Sequence, residues 1–470
     1  MSKEIRNKIA NILNEEFGES QKDKLVGMLN ALEFKNDVLA AGGEIYAVGG
    51  IVRDAIMGTP SDDLDIVVRG VAYDQLFAIL SKYGKPTDTS HVDENGKKDF
   101  GSTKFVSSNK AFNQFLADNG AARDIDVMLP RKDAKDVGVK GHKGIKSEVN
   151  PMFTIQDDLE RRDITINAIA MDMAGNLIVN GTGVEDIQNG VIKAVNADAF
   201  IEDPLRMLRA VRFAARYNYN WDPETVRLIK ENASLLADKE ELHSSRFLKE
   251  FQKMIGKADL SRAVRLIVEL GMYKHIFGVE SKIQDYTKFQ YANSVGEMAY
   301  MMFDNEASGT ILGLVNNNIT DDKYTAAVVE SLINYVGNVK NKNLDFIKRV
   351  NELASIFLKK MDTVARTGPG VDVLTNSYYI EPHDREIARK FSTGELPAGE
   401  NDVAFKGQEF AEFVRDIIVS NQGEFSKSKD GRKFGNAKRL ALTALYNEEI
   451  ENDVDSIKRF LIDSANQWML

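Results

Sequence analysis

The 470-residue chain contains no cysteine, which excludes disulfides and thiolate metal sites and suits a reducing, cytoplasmic compartment. No apolar run approaches the roughly 18 residues that suggest a membrane span, so no membrane partner is expected. The opening segment, MSKEIRNKIANILNEEF, is charged throughout and has no apolar signal core. An excess of positive charge is also missing: 61 Lys and Arg stand against 71 Asp and Glu, a net charge of −10. That excludes a protein coated for polyanions, so any nucleic-acid contact falls on a local basic surface with the acidic residues segregated elsewhere. Residues 275 to 470 show helices but no repeat. What remains is an ordinary globular composition, 43% hydrophobic and 28% charged. The length suits two to four domains.

The most informative stretch runs from Tyr46 to Val68, YAVGGIVRDAIMGTPSDDLDIVV. Its pattern predicts a strand, a turn at Gly49-Gly50, a short helix from about Val52 to Met57, a Gly58/Pro60 turn and a second strand. The second strand carries Asp63 and Asp65. Residues i and i+2 of a strand share a face, so two carboxylates project together from an otherwise apolar strand. Like charges that close repel unless a cation sits between them. Mg²⁺ is commonly held by one or two carboxylates together with substrate phosphates. Gly49 and Gly50 permit close approach of the backbone to a ligand, the following helix aims free N–H groups at an anion, and Arg53 adds positive charge. Together these make a nucleoside triphosphate site. The bland alternative is an acidic strand end in a surface turn.

Gly49-Gly-Ile-Val-Arg-Asp54 followed by Asp63-Leu-Asp65 resembles the first motif of the class II tRNA nucleotidyltransferases and bacterial poly(A) polymerases, in the DNA polymerase beta superfamily. The resemblance implies that Asp63 and Asp65 hold two Mg²⁺ ions and that the turn with Arg53 receives the triphosphate. In that family a third carboxylate comes from a neighbouring strand. The segment Ala122–Arg131 supplies it through Asp126, with Asp124 on the same face as second choice. Asp158–Ala168 resembles the family's second motif. It implies nucleotide contacts from Arg161, Arg162, Asp163 and Asn167, with Asp163 accepting from a ribose hydroxyl. Ile201–Arg216 reads as one helix with Asp203 near its N-cap and Pro204 at N1. Asp203 and Arg206, three apart, share a face, which in isolation describes a cap and an ion pair. Here Glu202-Asp-Pro-Leu-Arg206 matches the motif described as a protein template for CTP and ATP, with Arg209 as a neighbour. A carboxylate beside a guanidinium accepts from the amino group and donates to the ring nitrogen of C and A, and opposes U and G. Arg246 and Glu250 match the last motif, which braces the neck.

The expected fold is α+β: a small mixed-sheet nucleotidyltransferase head followed by an all-helical neck, body and tail. The expected divisions are 1–43 (N-terminal helices, from Ile5, Ile9, Ile12 and Leu13, then Leu25, Met28, Leu29 and Leu32), 44–193 (head), 194–275 (neck) and 276–470 (body and tail). Residues 87–99 and 132–150 read as loops, 107–122 as a helical insertion, and 181–193 as a Gly-punctuated hinge. His383-Asp384 invites comparison with an HD phosphohydrolase pair but lacks further ligands. Lys427, Lys429, Arg432 and Lys433 belong to the most basic run of the tail, either an RNA grip or a solvated loop. The function implied is addition of C and A from CTP and ATP to the 3′ end of tRNA, with Mg²⁺ as cofactor. Poly(A) addition to another RNA 3′ end is the alternative within the class, and an RNA-binding or phosphohydrolase protein with an inactive head is the alternative outside it.

Overall fold

The computed structural model describes residues 21–61, 63–89, 101–122, 124–135, 145–238, 244–306, 310–311, 313–315, 323–340, 342, 344, 346–358, 368–393, 395–398, 403–446 and 449–469. The first expected N-terminal helix and most of the two loops lie outside them. The chain divides into two compact units, 1–280 and 281–470. The second N-terminal helix, the head and the neck therefore share one unit.

The first unit is built on a seven-stranded sheet. Its strands are β1 (Glu44–Val48), β2 (Leu64–Arg69), β3 (Gly84–Asp88), β4 (Ser102–Ser107), β5 (Asp124–Met128), β8 (Ile169–Asp172) and β9 (Leu177–Val179), in the order β3-β4-β5-β2-β1-β8-β9. Only β2 and β5 run parallel; the other pairs are antiparallel. β2 is central because Ile66, Val67 and Val68 are all fully buried, so its β-branched residues fill both faces of the sheet. One face packs Val48, Val67, Ala168 and Ala170 against Ile155 and Leu159 of a short helix, Ile155–Glu160, which a Thr154/Asp157 capping box starts. The helix Gln21–Ala31 packs on the helix Gly50–Met57 that follows β1.

Three readings are corrected here. Arg131–Lys135 (β6) and Ile145–Val149 (β7) form an antiparallel hairpin where a continuous loop was expected. The segment 181–193 is a helix, Gly183–Asn189, and a strand, Val191–Ile192, packed rather than hinged. A Cβ on Gly183 would lie 2.4 Å from the Thr165 carbonyl oxygen, so that glycine serves close packing. The expected single helix at 201–216 is two, Ala199–Glu202 and Leu205–Tyr217. Pro204 disfavours helical geometry at the residue before it, and Asp203 is extended with φ −137° and ψ 100°.

The second unit is helical among its described residues. The helices Val295–Phe303, Lys323–Asn338, Phe346–Phe357, Pro369–Asn376 and Pro382–Thr393 pack together. The helices Gly407–Gln422, Lys427–Tyr446 and Val454–Asp463 enclose a core of Val414, Ile418, Ala437, Leu445, Ile457, Leu461 and Trp468. The basic run is thus helical, which removes the loop reading. Lys433 pairs with Asp430 at 2.9 Å, Arg432 is exposed, and the side chains of Lys427 and Lys429 lie outside those described. Asp384 is fully buried, bound by Arg349 Nη1 at 2.8 and 2.9 Å and by the Tyr335 hydroxyl at 2.8 Å. It is a structural carboxylate, and the HD comparison fails.

Candidate active site

The parallel register sets Asp65 of β2 directly beside Asp126 of β5. Neighbours in register point to the same face, and Asp63, two residues before Asp65, stands exposed just ahead of the strand. Burial and then the charge of Asp126 push the Asp65 carboxyl up to about 6, with Asp63 adding to the repulsion and Arg162 and Lys104 opposing it. Asp126 is also raised, chiefly by burial. Asp124 differs: the Lys104 ammonium binds it directly and holds it below the usual carboxylate range. Placement therefore favours Asp126 over Asp124 as the third carboxylate. Among the described residues no three acidic or imidazole groups converge into a ready ligand cluster. The donor chemistry still fits a hard divalent cation, because adjacent carboxylate oxygens repel one another and a divalent ion relieves that repulsion.

Next to the carboxylates is a corner made by Gly49 and Arg162. Gly49 has φ 72°, and a Cβ there would lie 2.6 Å from Arg162 Nη1, so only glycine fits the turn. Arg162 donates from Nη2 to Asp158 at 2.9 Å and from Nη1 to the Asn167 main-chain carbonyl at 3.3 Å, while its Nε is buried without a partner among the described residues. Arg161 reaches the same Asp158 at 2.6 Å. Burial alone would raise the Asp158 carboxyl, but Arg162 and Arg161 outweigh it and hold it at about 2. Asp158 thus orients both arginines, a role its position before the pair did not announce.

Four expected contacts are differently engaged. Arg53, expected at the triphosphate, is 3% exposed, pairs with Asp54 at 2.8 Å and donates to Asn167 Oδ1. Its guanidinium lies 5.0 Å from the Phe213 ring centre and 5.1 Å from that of Tyr217, so it ties the Gly49-Gly50 turn to the helix Leu205–Tyr217. Asp163, expected to accept from a hydroxyl, is buried and takes Arg209 Nε at 2.8 Å, Asn167 Nδ2 at 3.0 Å and the Ile164 N–H at 2.9 Å. Burial opposes its charge, but Arg209 and these donors hold its carboxyl far below the usual range. Asp203 and Arg206, expected together, take other partners: Arg246 at 2.7 Å and Glu202 at 2.8 Å. The split at Pro204 is the cause, since it removes Asp203 from the helical repeat that carries Arg206. Glu250 receives Arg212 Nε at 3.0 Å and lies 3.8 Å from Arg209, so one ionic chain links Asp163, Arg209, Glu250 and Arg212. The missed partners Phe213 and Tyr217 carried one signal, aromatic residues four apart on one helix.

A mixed sheet with carboxylates in register across its one parallel pair, beside a glycine turn and an arginine corner, defines a nucleotidyltransferase. The family described as the Poly A polymerase head domain matches residues 45–193, and the probable RNA and SrmB-binding site of polymerase A matches 218–280. A CCA-adding enzyme of Bacillus licheniformis is 30% identical over 444 residues, covering 93% of this chain and 98% of that protein. The chain belongs to the CCA-adding enzyme family. It also resembles a multifunctional CCA protein of Nitrosomonas eutropha, 37% identical over 188 residues, covering 40% of this chain and 38% of that protein. The chain spans about two-fifths to one half of the length of the first six curated relatives, between 38% and 50%. In fold it is similar to the Bacillus stearothermophilus CCA-adding enzyme in complex with CTP, with a TM-score of 0.60, 21% identity and coverage of 96% and 99% of the two chains.

Proposed function

We propose that this chain adds C and A from CTP and ATP to the 3′ end of tRNA without a template strand. The observation that carries the reading is the pair Asp65 and Asp126, set in register on adjacent strands beside the Gly49–Arg162 corner. The RNA 3′-hydroxyl oxygen forms a bond to the α-phosphorus as the bond to pyrophosphate breaks. Asp63, Asp65 and Asp126 are the residues that would hold Mg²⁺, which when bound supplies charge stabilisation at the attacking and leaving oxygens. Arg162 presents a buried Nε, unpartnered among the described residues, beside the turn, a donor suited to phosphate oxygens. Asp163 and Asn167 hold the scaffold behind it. Asp203 and Arg206 read the base edge by sharing their carboxylate and guanidinium with Arg246 and Glu202. The relative that matches 98% of its own length supports CCA addition over poly(A) addition, and a cysteine-free chain suits the cytoplasm.

The test offers labelled CTP and ATP with tRNA lacking its 3′ end and, separately, with an unstructured RNA. Addition of C and then A to tRNA alone is expected. Runs of A on both acceptors make the chain a poly(A) polymerase, and no incorporation on either makes the head inactive.

A further inference from the structure

Between the start of the helix Val295–Phe303, the helix Lys323–Asn338 and the helix Pro369–Asn376, the second unit encloses a cavity of about 420 Å³. Asn293, Ser294, Glu297, Val328, Asp372, Val373 and Asn376 line it. Two of these side chains are carboxylates. Glu297 is 4% exposed; one of its oxygens accepts from the Asn293 N–H at 2.8 Å, and the other, Oε1, is buried without a hydrogen-bond partner among the described residues. Ser377 and the Tyr378 N–H also face this carboxylate. Asp372 has no basic neighbour among the described residues, and burial raises both carboxyls. Leaving a buried carboxylate oxygen unpaired is unfavourable, so Oε1 calls for one further donor, which no described residue brings within hydrogen-bond geometry.

Two residues outside the lining add a second feature. Tyr291 and Tyr378, 47% and 48% exposed, lie parallel at 4.6 Å between ring centres. Each stands two residues from an asparagine of the lining, Asn293 or Asn376, and those asparagines are joined by Asn293 Nδ2 donating to the Asn376 carbonyl at 3.1 Å. Aromatic faces attract ammonium groups electrostatically. A bare metal ion is the poorer fit, since no three acidic or imidazole groups converge among the described residues and the cavity far exceeds one ion. A phosphate-bearing ligand meets two like charges.

We propose that this cavity is a binding site for a small organic cation, a primary amine or aliphatic diamine. Its ammonium donates to Glu297 Oε1 and to Asp372, and its chain passes along Val328 and Val373 towards the two tyrosines. The site is separate from the carboxylates of the sheet, and the proposal does not rest on the reaction assigned to them.

The test titrates the full chain, without RNA or nucleotide, with 1,4-diaminobutane by calorimetry at fixed ionic strength. Saturable binding at one site per chain is expected, weakened at least tenfold by Glu297→Gln and by Asp372→Asn and abolished in the double variant. Glu297→Gln keeps an oxygen for the Asn293 N–H; should it nevertheless fail to fold, Asp372→Asn alone carries the test. Tyr378→Ala is expected to weaken the amine about threefold, as removal of an exposed cation–aromatic interaction of roughly 0.5–1 kcal/mol implies. Equal affinity in wild type and both carboxylate variants overturns the proposal, as does full competition by an equal concentration of MgCl₂, which would mark general attraction to an acidic chain.

Discussion

At the scale of single residues, direct ion pairing separates the carboxylates proposed to react from those that brace the fold. Asp65 and Asp126 lie side by side with no direct ion pair among the described residues, Lys104 acting on both only at a distance, whereas Asp124, Asp158 and Asp163 each hold a cation directly. Asp65→Asn is therefore expected to reduce transfer of both C and A to background, with a Tm no lower than wild type because a like-charge repulsion has been removed. Steady-state turnover and thermal melts check the two halves of that statement. Asp158→Asn is expected to do the opposite, since it leaves two buried arginine ends without a carboxylate, a loss of about 3–5 kcal/mol of stability at pH 7. The folded Asp158 carboxyl lies at about 2, below its unfolded value of about 3.9. Its contribution is therefore fully present above pH 4 and is lost as the pH falls towards 2. Urea titrations should show the gap between wild type and variant constant from pH 7 to 5 and narrowing below pH 4. Asp203→Ala tests selectivity. A bidentate base contact discriminates by about 1–3 kcal/mol, so preference for CTP over UTP should fall roughly ten- to a hundredfold in kcat/KM. An equal loss with all four nucleotides would mean that Asp203 only anchors Arg246.

At the scale of elements, legibility in the sequence follows the range of the interaction. The Gly49-Gly50 turn, the apolar strand with Asp65 and the Asp126 strand are readable because their signals are local: a period of two, glycines and short spacings. The partners of Arg53 are not, because Phe213 and Tyr217 lie some 160 residues away, and nothing near Arg53 shows that its guanidinium will be stacked on rings instead of facing phosphate. The pairing expected of Asp203 and Arg206 fails for a local reason. The helical repeat does not run through Pro204, whose effect on the preceding residue breaks it. The hairpin of β6 and β7 leaves little trace in the sequence because its residues are Lys- and Gly-rich and show no alternation of apolar side chains. In the second unit, Asp384 joins the helices Lys323–Asn338, Phe346–Phe357 and Pro382–Thr393 through Tyr335 and Arg349. Asp384→Asn is expected to destabilise that unit by about 3–5 kcal/mol. Urea unfolding followed by hydrogen exchange should place the loss in the second unit and leave protection of β1, β2 and β5 unchanged.

At the scale of the whole molecule, an acidic chain that acts on RNA, as proposed, must concentrate its cations. The tail helix Lys427–Tyr446 carries Lys427, Lys429, Arg432, Lys433, Lys438 and Arg439. Neutralising Lys427, Lys429, Arg432 and Lys433 together is expected to weaken tRNA binding. The slope of log K against log salt should flatten by about 0.7–0.9 for each phosphate that is no longer neutralised, while CTP binding without RNA stays the same. Filter binding at four salt concentrations measures both, and an unchanged slope would assign the run to solubility. The sheet also bears on how much this chain can change and keep its chemistry. Asp65 and Asp126 belong to strands separated in sequence by a helix, a hairpin at the sheet edge and the inserted helix Lys110–Asp118. All of that intervening chain can lengthen or shorten without moving the two carboxylates, provided that β5 enters the sheet in phase. A slip of one residue turns Asp126 to the opposite face and brings its apolar neighbours Ile125 or Val127 beside Asp65. The parallel pair is thus a parity check on the molecule: insertions outside β5 leave it intact, whereas a single-residue shift within β5 displaces Asp126 and, with it, the buried Ile125 and Val127.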